Sequence, residues 1–134
     1  MKLKADGEAA GDPEPMGGRL RRSRQWGRIE VLPEVVGAVA AHAALDCYGI
    51  HGMAARGLRD GFAELLRRDS LHRGVDVRES PAGLIVDTYV VVQFGVRITE
   101  VAHNLQSAVR FEVERTVGVP VAEVNVNVQG VYEP

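Results

Sequence analysis

Cysteine is almost missing from this chain. Cys47 stands alone, so no internal disulfide can form and nothing points to export into an oxidising compartment. Aromatic residues are scarce too, with three Phe, three Tyr and one Trp, so a core has to be built from Val, Leu, Ile and Ala. No apolar run approaches the roughly 20 residues that a membrane-spanning helix requires. The longest candidate, Val35 to Leu45, is short and is interrupted by His42. The first residues lack the apolar segment of a secretion signal, and the expected address is the cytoplasm. Neither HxxxH nor CxxC spacing occurs, which removes the commonest ways of aiming two ligands at one metal.

What is present fits one soluble domain: 134 residues, 46% hydrophobic and 25% charged. A net charge of −2 conceals an asymmetry. Residues 1–28 carry seven Lys/Arg against four acids, a balance of +3, and the remainder stands at −5. An acidic body disfavours nucleic acid as its partner, because phosphate binding needs the opposite field. Residues 1–26 are rich in Gly, Pro and Glu and show no apolar periodicity, so they read as a disordered basic tail ahead of a folded domain over 27–134. Within the tail, Arg19, Arg21, Arg22 and Arg24 beside Trp26 form a weak electrostatic patch for anionic lipid or RNA. Such a patch contributes on the order of 1 kcal/mol per charge near an anionic membrane. A solvated linker is the plainer reading.

The folded part is organised around residues 84–118. Leu84, Val86, Thr88, Val90, Val92 and Phe94 alternate with Ile85, Asp87, Tyr89, Val91 and Gln93, the period-two pattern of a strand with one face buried. Gly95 breaks the strand, Thr99 is placed to cap a helix, and Val101, Ala102, Leu105, Val109 and Val113 share that helix's inner face. Gly118 is its stop. Upstream, Arg28 to Val31 reads as a short first strand. Pro33 and Glu34 open a helix in which Leu32 is a poor cap. Its core stripe is expected at Val35, Val36, Val39, Ala40, Ala43 and Cys47, with its end at Gly49. The opposite side, Gly37, Ala38, Ala41, Ala44 and Leu45, is unusually smooth for a solvent face, which suggests either a second covering surface such as another copy of the chain or simply an alanine-rich exposed helix. A second strand is expected over Ile50 to Leu58, a helical piece capped by Asp60 over Gly61 to Arg68, and a third strand over Gly74 to Glu79. Ser80-Pro81-Ala82-Gly83 then turns that strand into the long one as a hairpin. Val121 to Tyr132 closes the order, with Val124, Val126 and Val128 on one face and Asn125, Asn127 and Gln129 on the other. The expectation is βαβ(α)ββαβ, an α+β two-layer sandwich with a mixed sheet and its helices on one face.

Residues able to do chemistry do not assemble. His42, His51, His72 and His103 fall on different elements, and structural or solvent roles suit them. Cys47 sits in an apolar stripe, where a thiol has a raised pKa and is inert. Glu112 lies within the second helix's apolar stripe, so it either pairs with Arg115 or Arg97 or reaches the rim. Gly49-Ile50-His51-Gly52 matches a GxxG RNA-binding loop by chance, since no Lys or Arg adjoins it and a strand follows. Tyr89 offers one stacking ring, but Asp87 beside it repels phosphate. The reading is therefore not an enzyme: no catalytic residue, no cofactor and no metal.

Four phrases taken in order, GRIEVLPEVVGAVAAHAAL, YGIHGMAARG, VDTYVVVQFGVRITEVAHNLQSAV and VAEVNVNVQGV, resemble the alkaline shock protein family of bacterial envelope stress response proteins. The resemblance spans roughly Gly27 to Tyr132, and the DGFAELLRR segment looks like one subgroup. It implies a cytoplasmic, non-catalytic scaffold, peripheral at the inner membrane face, that self-associates and is held by a small membrane-anchored partner. A second implied role is stoichiometric regulation of a fatty-acid or phospholipid synthesis enzyme, and RNA binding through the arginine-rich tail is a third reading. The surface expected to carry contacts is Phe111 with Asn104, Ser107 and Arg115. Gly37, Ala41, Ala44 and Leu45 on the smooth side of the first helix come second. Leu32 and the tail depart from the family pattern.

Overall fold

The computed structural model describes residues 20–24, 26–55 and 65–134. In chain order its elements are β1 (Leu20–Arg24), β2 (Gly27–Val31), α1 (Pro33–Leu45), β3 (Ile50–Met53), a kinked 3₁₀ stretch (Arg68–Gly74), β4 (Val75–Ser80), β5 (Gly83–Gln93), α2 (Ile98–Val117) and β6 (Val121–Tyr132). The alternating run is β5, and every strand of the main sheet pairs with it. β4 lies antiparallel to its first half, from Val75↔Thr88 to Ser80↔Gly83, through the expected hairpin turn. β3 continues the same edge antiparallel to the second half, with Ile50↔Val92 and Met53↔Val90. β6 runs parallel along the whole other edge, from Leu84↔Val121 to Gln93↔Tyr132. Parallel neighbours need a crossover, and α2 supplies it.

Both helices lie on one face of this mixed sheet, the two-layer α+β sandwich that the sequence pattern predicts. Val101, Leu105, Val109 and Val113 of α2 pack with Val36, Ala40 and Ala43 of α1 over Leu84, Val86, Val90 and Val92 of β5. Thr88 is buried on the same face and stays satisfied because its hydroxyl donates to the Asn125 carbonyl at 2.8 Å. Gly118 ends α2 as a left-handed C-cap, as its sequence position indicates. Phe94 falls one residue past β5 and is exposed, so the buried alternation stops at Val92.

The main departure concerns α1. Its buried residues are Val36, Gly37, Ala40, Ala41, Ala43 and Ala44, while Val35 is 51% exposed. The stripe is rotated toward the small residues because the 3₁₀ stretch packs there: a Cβ on Gly37 would lie 3.4 Å from the His72 carbonyl. Gly37, Ala41 and Ala44 are therefore interior positions, and Leu45 is half-buried against the core. The second covering surface is real, but it comes from this chain rather than from another copy. α1 also ends at Leu45, not at Gly49. Gly49, at φ +89°, sits in the connection, where a Cβ would meet Val101 Cγ2 at 2.7 Å. Thr99 lies inside the first turn of α2, whose N-cap is Arg97 without a side-chain bond.

Two further expectations move. Residues 56–64 lie outside the described residues, and with them most of the expected helical piece, including Asp60 and Phe62. Residues 65–67 of it are not helical, since Leu65 bridges Ala54 and the Leu66 N–H donates to the Met53 carbonyl, and Arg68 begins the 3₁₀ stretch. The tail expected to be disordered over 1–26 contains a strand instead. β1 pairs antiparallel with β2 from Leu20↔Val31 to Arg24↔Gly27, and Gly27 at φ +119° permits the reversal. Reversal sets backbone donors opposite acceptors without any help from a hydrophobic pattern, which is why periodicity missed it. Residues 1–19 lie outside the described residues.

The burial pattern makes a direct contrast. Leu105→Ala should destabilise the domain by about 2–5 kcal/mol in chemical denaturation. Val35→Ala, on the solvent side of α1, should change it by about 0.5 kcal/mol or less. Equal effects at the two sites would contradict the rotated stripe.

Candidate functional site

α2 turns two different faces outward and inward. With Val101, Leu105, Val109 and Val113 inside, the residues Asn104, Ser107, Phe111 and Arg115 follow at steps of three and four along the exposed side. Phe111 is 63% exposed. Beside it the charges pair locally, Arg110 with Glu114 at 3.8 Å and Arg115 with Glu112 at 2.8 Å; Arg97 and Glu100 pair at 3.7 Å at the helix's N-terminal end. Exposed pairs of this kind contribute little to stability, about 0–1 kcal/mol each. Their effect here is to cancel charge, so an aromatic ring stands on a helix face with little net field. Glu112 reaches the rim and pairs with Arg115, combining the two outcomes expected for it.

The sheet face away from the helices is polar but occupied with itself. Asp87, 9% exposed, accepts from Arg78 at 3.0 and 3.2 Å through one oxygen and from the Asn125 amide at 2.7 Å through the other. Three strands are thereby tied by one carboxylate, with charge-assisted bonds on both sides. Asn127 donates to the Thr88 carbonyl at 3.1 Å. The Asn125 and Asn127 amides of β6 are thus hydrogen-bonded to β5 rather than stacked as a free ladder. At the far end of the same sheet, the rings of His51 and Tyr132 stack at 3.8 Å with 4° between planes. Neither feature was legible beforehand, because each joins residues from strands far apart in the chain.

The remaining candidates do not converge. His42 and His103 are exposed on separate helices, His72 lies against Gly37, and His51 is in the stack. Among the described residues no three His, Cys, Asp or Glu side chains come together as a metal site. Cys47 is half-buried just past α1, with its thiol directed to the Ala43 carbonyl at 3.5 Å. Burial first, and the Asp46 charge second, push that thiol above its ordinary value. Arg19 lies outside the described residues, and Arg21, Arg22 and Arg24 are placed by their backbone on β1. Among the described residues no helix is long and apolar enough to cross a membrane.

Fold and surface together define a small α+β sandwich domain whose described charges mostly pair with one another and whose outer helix presents an aromatic. Over residues 21–133 the chain matches the family model of the alkaline shock protein 23 family, described by a cell envelope-related function, and it belongs to that family. It is 44% identical over 108 residues to Uncharacterized protein YloU of Bacillus subtilis (strain 168), covering 80% of this chain and 90% of that protein. It is 37% identical over 106 residues to Uncharacterized protein Spy1614 of Streptococcus pyogenes, covering 78% and 88%. Uncharacterized protein YqhY of Bacillus subtilis is 30% identical over 105 residues, covering 78% and 77%. No solved structure matches the chain.

Folding raises the Cys47 pKa, so it favours the protonated thiol. That contribution is complete below the unfolded thiol's pKa and is lost as the pH rises through the folded value. Alkylation of native protein should accordingly reach half its maximal rate at a higher pH than a free model thiol does. Asp46→Asn should move the midpoint part of the way down. A native midpoint at or below the model thiol's would contradict the burial.

Proposed function

We propose that this domain is a non-enzymatic scaffold of the cell-envelope stress response, which associates with itself and binds a membrane-associated protein through the α2 face centred on Phe111. The observation that carries this is Phe111 itself, a large ring left 63% exposed in a chain with few aromatics. Leaving such a ring in water costs free energy that a partner surface recovers, and aromatic anchors dominate interface energetics. The paired charges around it support the same reading, because a locally neutral surface is desolvated at lower cost than a charged one. The family's cell envelope-related function supports a partner of the cell envelope. Its relatives match over most of their own length, so the domain is nearly the whole of what they share.

Affinity capture from separated membrane and soluble fractions tests this. Wild-type protein should retain a membrane protein. Phe111→Ser should weaken the complex by about 2 kcal/mol, roughly thirtyfold in Kd, with an unchanged melting curve. Capture of a soluble lipid-synthesis enzyme by wild type and Phe111→Ser alike would sink the reading in favour of stoichiometric enzyme regulation.

A further inference from the structure

β6 forms an edge of the main sheet: β5 pairs along one side of it, and no strand among the described residues pairs along the other. Free edges invite pairing with other chains, and proteins usually blunt them with charge, proline or a covering element. Here the blunting is confined to the first residues of the strand. The Val121 N–H donates to Glu114 Oε2 at 2.8 Å, and Arg110 donates to the Val121 carbonyl at 3.0 Å. Gln106 donates to the Val124 carbonyl at 2.9 Å. Gln106 and Arg110 line a groove of about 410 Å³ over residues 121–125 and stand where a neighbouring strand would lie.

Beyond Val124 the protection stops. Residues 125–132 contain no charged residue and no proline. Val126 and Val128 are only half-buried, although both pack against the core, and Val131 is 50% exposed. The direction of the free backbone groups follows from Val124. Its carbonyl points outward to Gln106, and backbone groups alternate along a strand, so those of Val126 and Val128 point outward as well.

We propose that the self-association put forward above, on which this inference rests, runs through this open half of β6, paired antiparallel with the same strand of a second copy about a two-fold axis at Asn127. The sequence is self-complementary in that register. Val126 of one copy stands opposite Val128 of the other, and their outward groups exchange two pairs of hydrogen bonds. Asn127 meets its own copy in a narrow, non-hydrogen-bonded pair, and the bulge at Gln129, where pairing with β5 skips from Val128 to Gly130, ends the regular ladder. Apolar side chains meet apolar ones on the helix side, and amides meet amides on the other. Glu123 lies four residues from the axis and does not meet another Glu123, so no like charges are opposed. A second copy is favoured over a charged peptide because an uncharged, amide-bearing edge offers such a peptide no counter-charge. The blunted residues 121–124 limit the pairing to about five residues a side, an interface at the small end of specific contacts.

The resulting dimer should dissociate on dilution through the micromolar range, as read by sedimentation equilibrium on the full chain. Asn127→Lys sets two ammonium groups across the axis and should weaken it at least tenfold. In a Cys47→Ser background, Asn127→Cys should cross-link on mild oxidation. A narrow antiparallel pair holds Cα atoms about 4.5 Å apart, within disulfide range. Glu123→Cys, four residues from the axis and away from its own copy, should not cross-link. A dimer that survives Asn127→Lys, with no more cross-linking from Asn127→Cys than from Glu123→Cys, would overturn the edge assignment and leave self-association to another surface. A wild-type chain that stays monomeric at millimolar concentration would remove the self-association reading itself, whatever the affinity capture shows. Loss of the membrane protein rather than of the dimer in Asn127→Lys would also overturn the inference, by making the edge a site for a foreign strand.

Discussion

β5 has to be satisfied on four sides at once, and the rest of the structure follows from how that is done. Its two edges are used by β3 and β4 end to end and by β6 along the full length. One face is closed by the helices, and the other carries Asp87 at 9% exposure. A carboxylate that far from water is tolerated only with strong donors, and Arg78 and Asn125 arrive from the strands on either side. The same bonds that solvate Asp87 fix the lateral positions of β4 and β6. On the other face Thr88 does a similar task by bonding the Asn125 carbonyl. Neighbouring residues of one strand therefore hold the parallel partner from above and below the sheet.

How much of this could be read from the chain depended on whether a signal was local. The alternation of β5, the four-residue spacing of Val101, Leu105, Val109 and Val113, the turn at residues 80–83 and the alternating β6 are all patterns within one element. Each survives in the structure. α1 carries Gly, Ala and Val on nearly every side, so its sequence does not contain the direction of its buried stripe. Packing of the 3₁₀ stretch over Gly37 decides it. Gly49 and Thr99 misled for a related reason, since their types suit caps but the chain places both elsewhere. The Arg78–Asp87–Asn125 chain and the His51–Tyr132 stack could not be found at all without knowing which strands are neighbours. On the surface, the reading of Phe111 as exposed held because α2 has a strong apolar period that leaves no doubt which way residue 111 faces.

The two outer surfaces differ in kind. The α2 face offers a side chain, Phe111, among charges that pair at 2.8 to 3.8 Å. The β6 edge offers backbone, and side chains from α2 already restrict where along the strand that backbone can be approached. One helix thus shapes both surfaces, presenting Phe111 and also shielding the first third of β6. Gln106 acts on the edge alone, whereas Arg110 and Glu114 serve both the edge and the paired charges beside the ring.

The β1–β2 hairpin has another consequence. Its ladder contacts are with itself, and two strands alone are marginal in water. Its amides will therefore open on their own schedule, with a free energy far below that of the sandwich, and isotope exchange there reports a local equilibrium rather than global unfolding. Val31 at the hairpin's end packs against the core, just before Leu32 opens α1 without a side-chain cap.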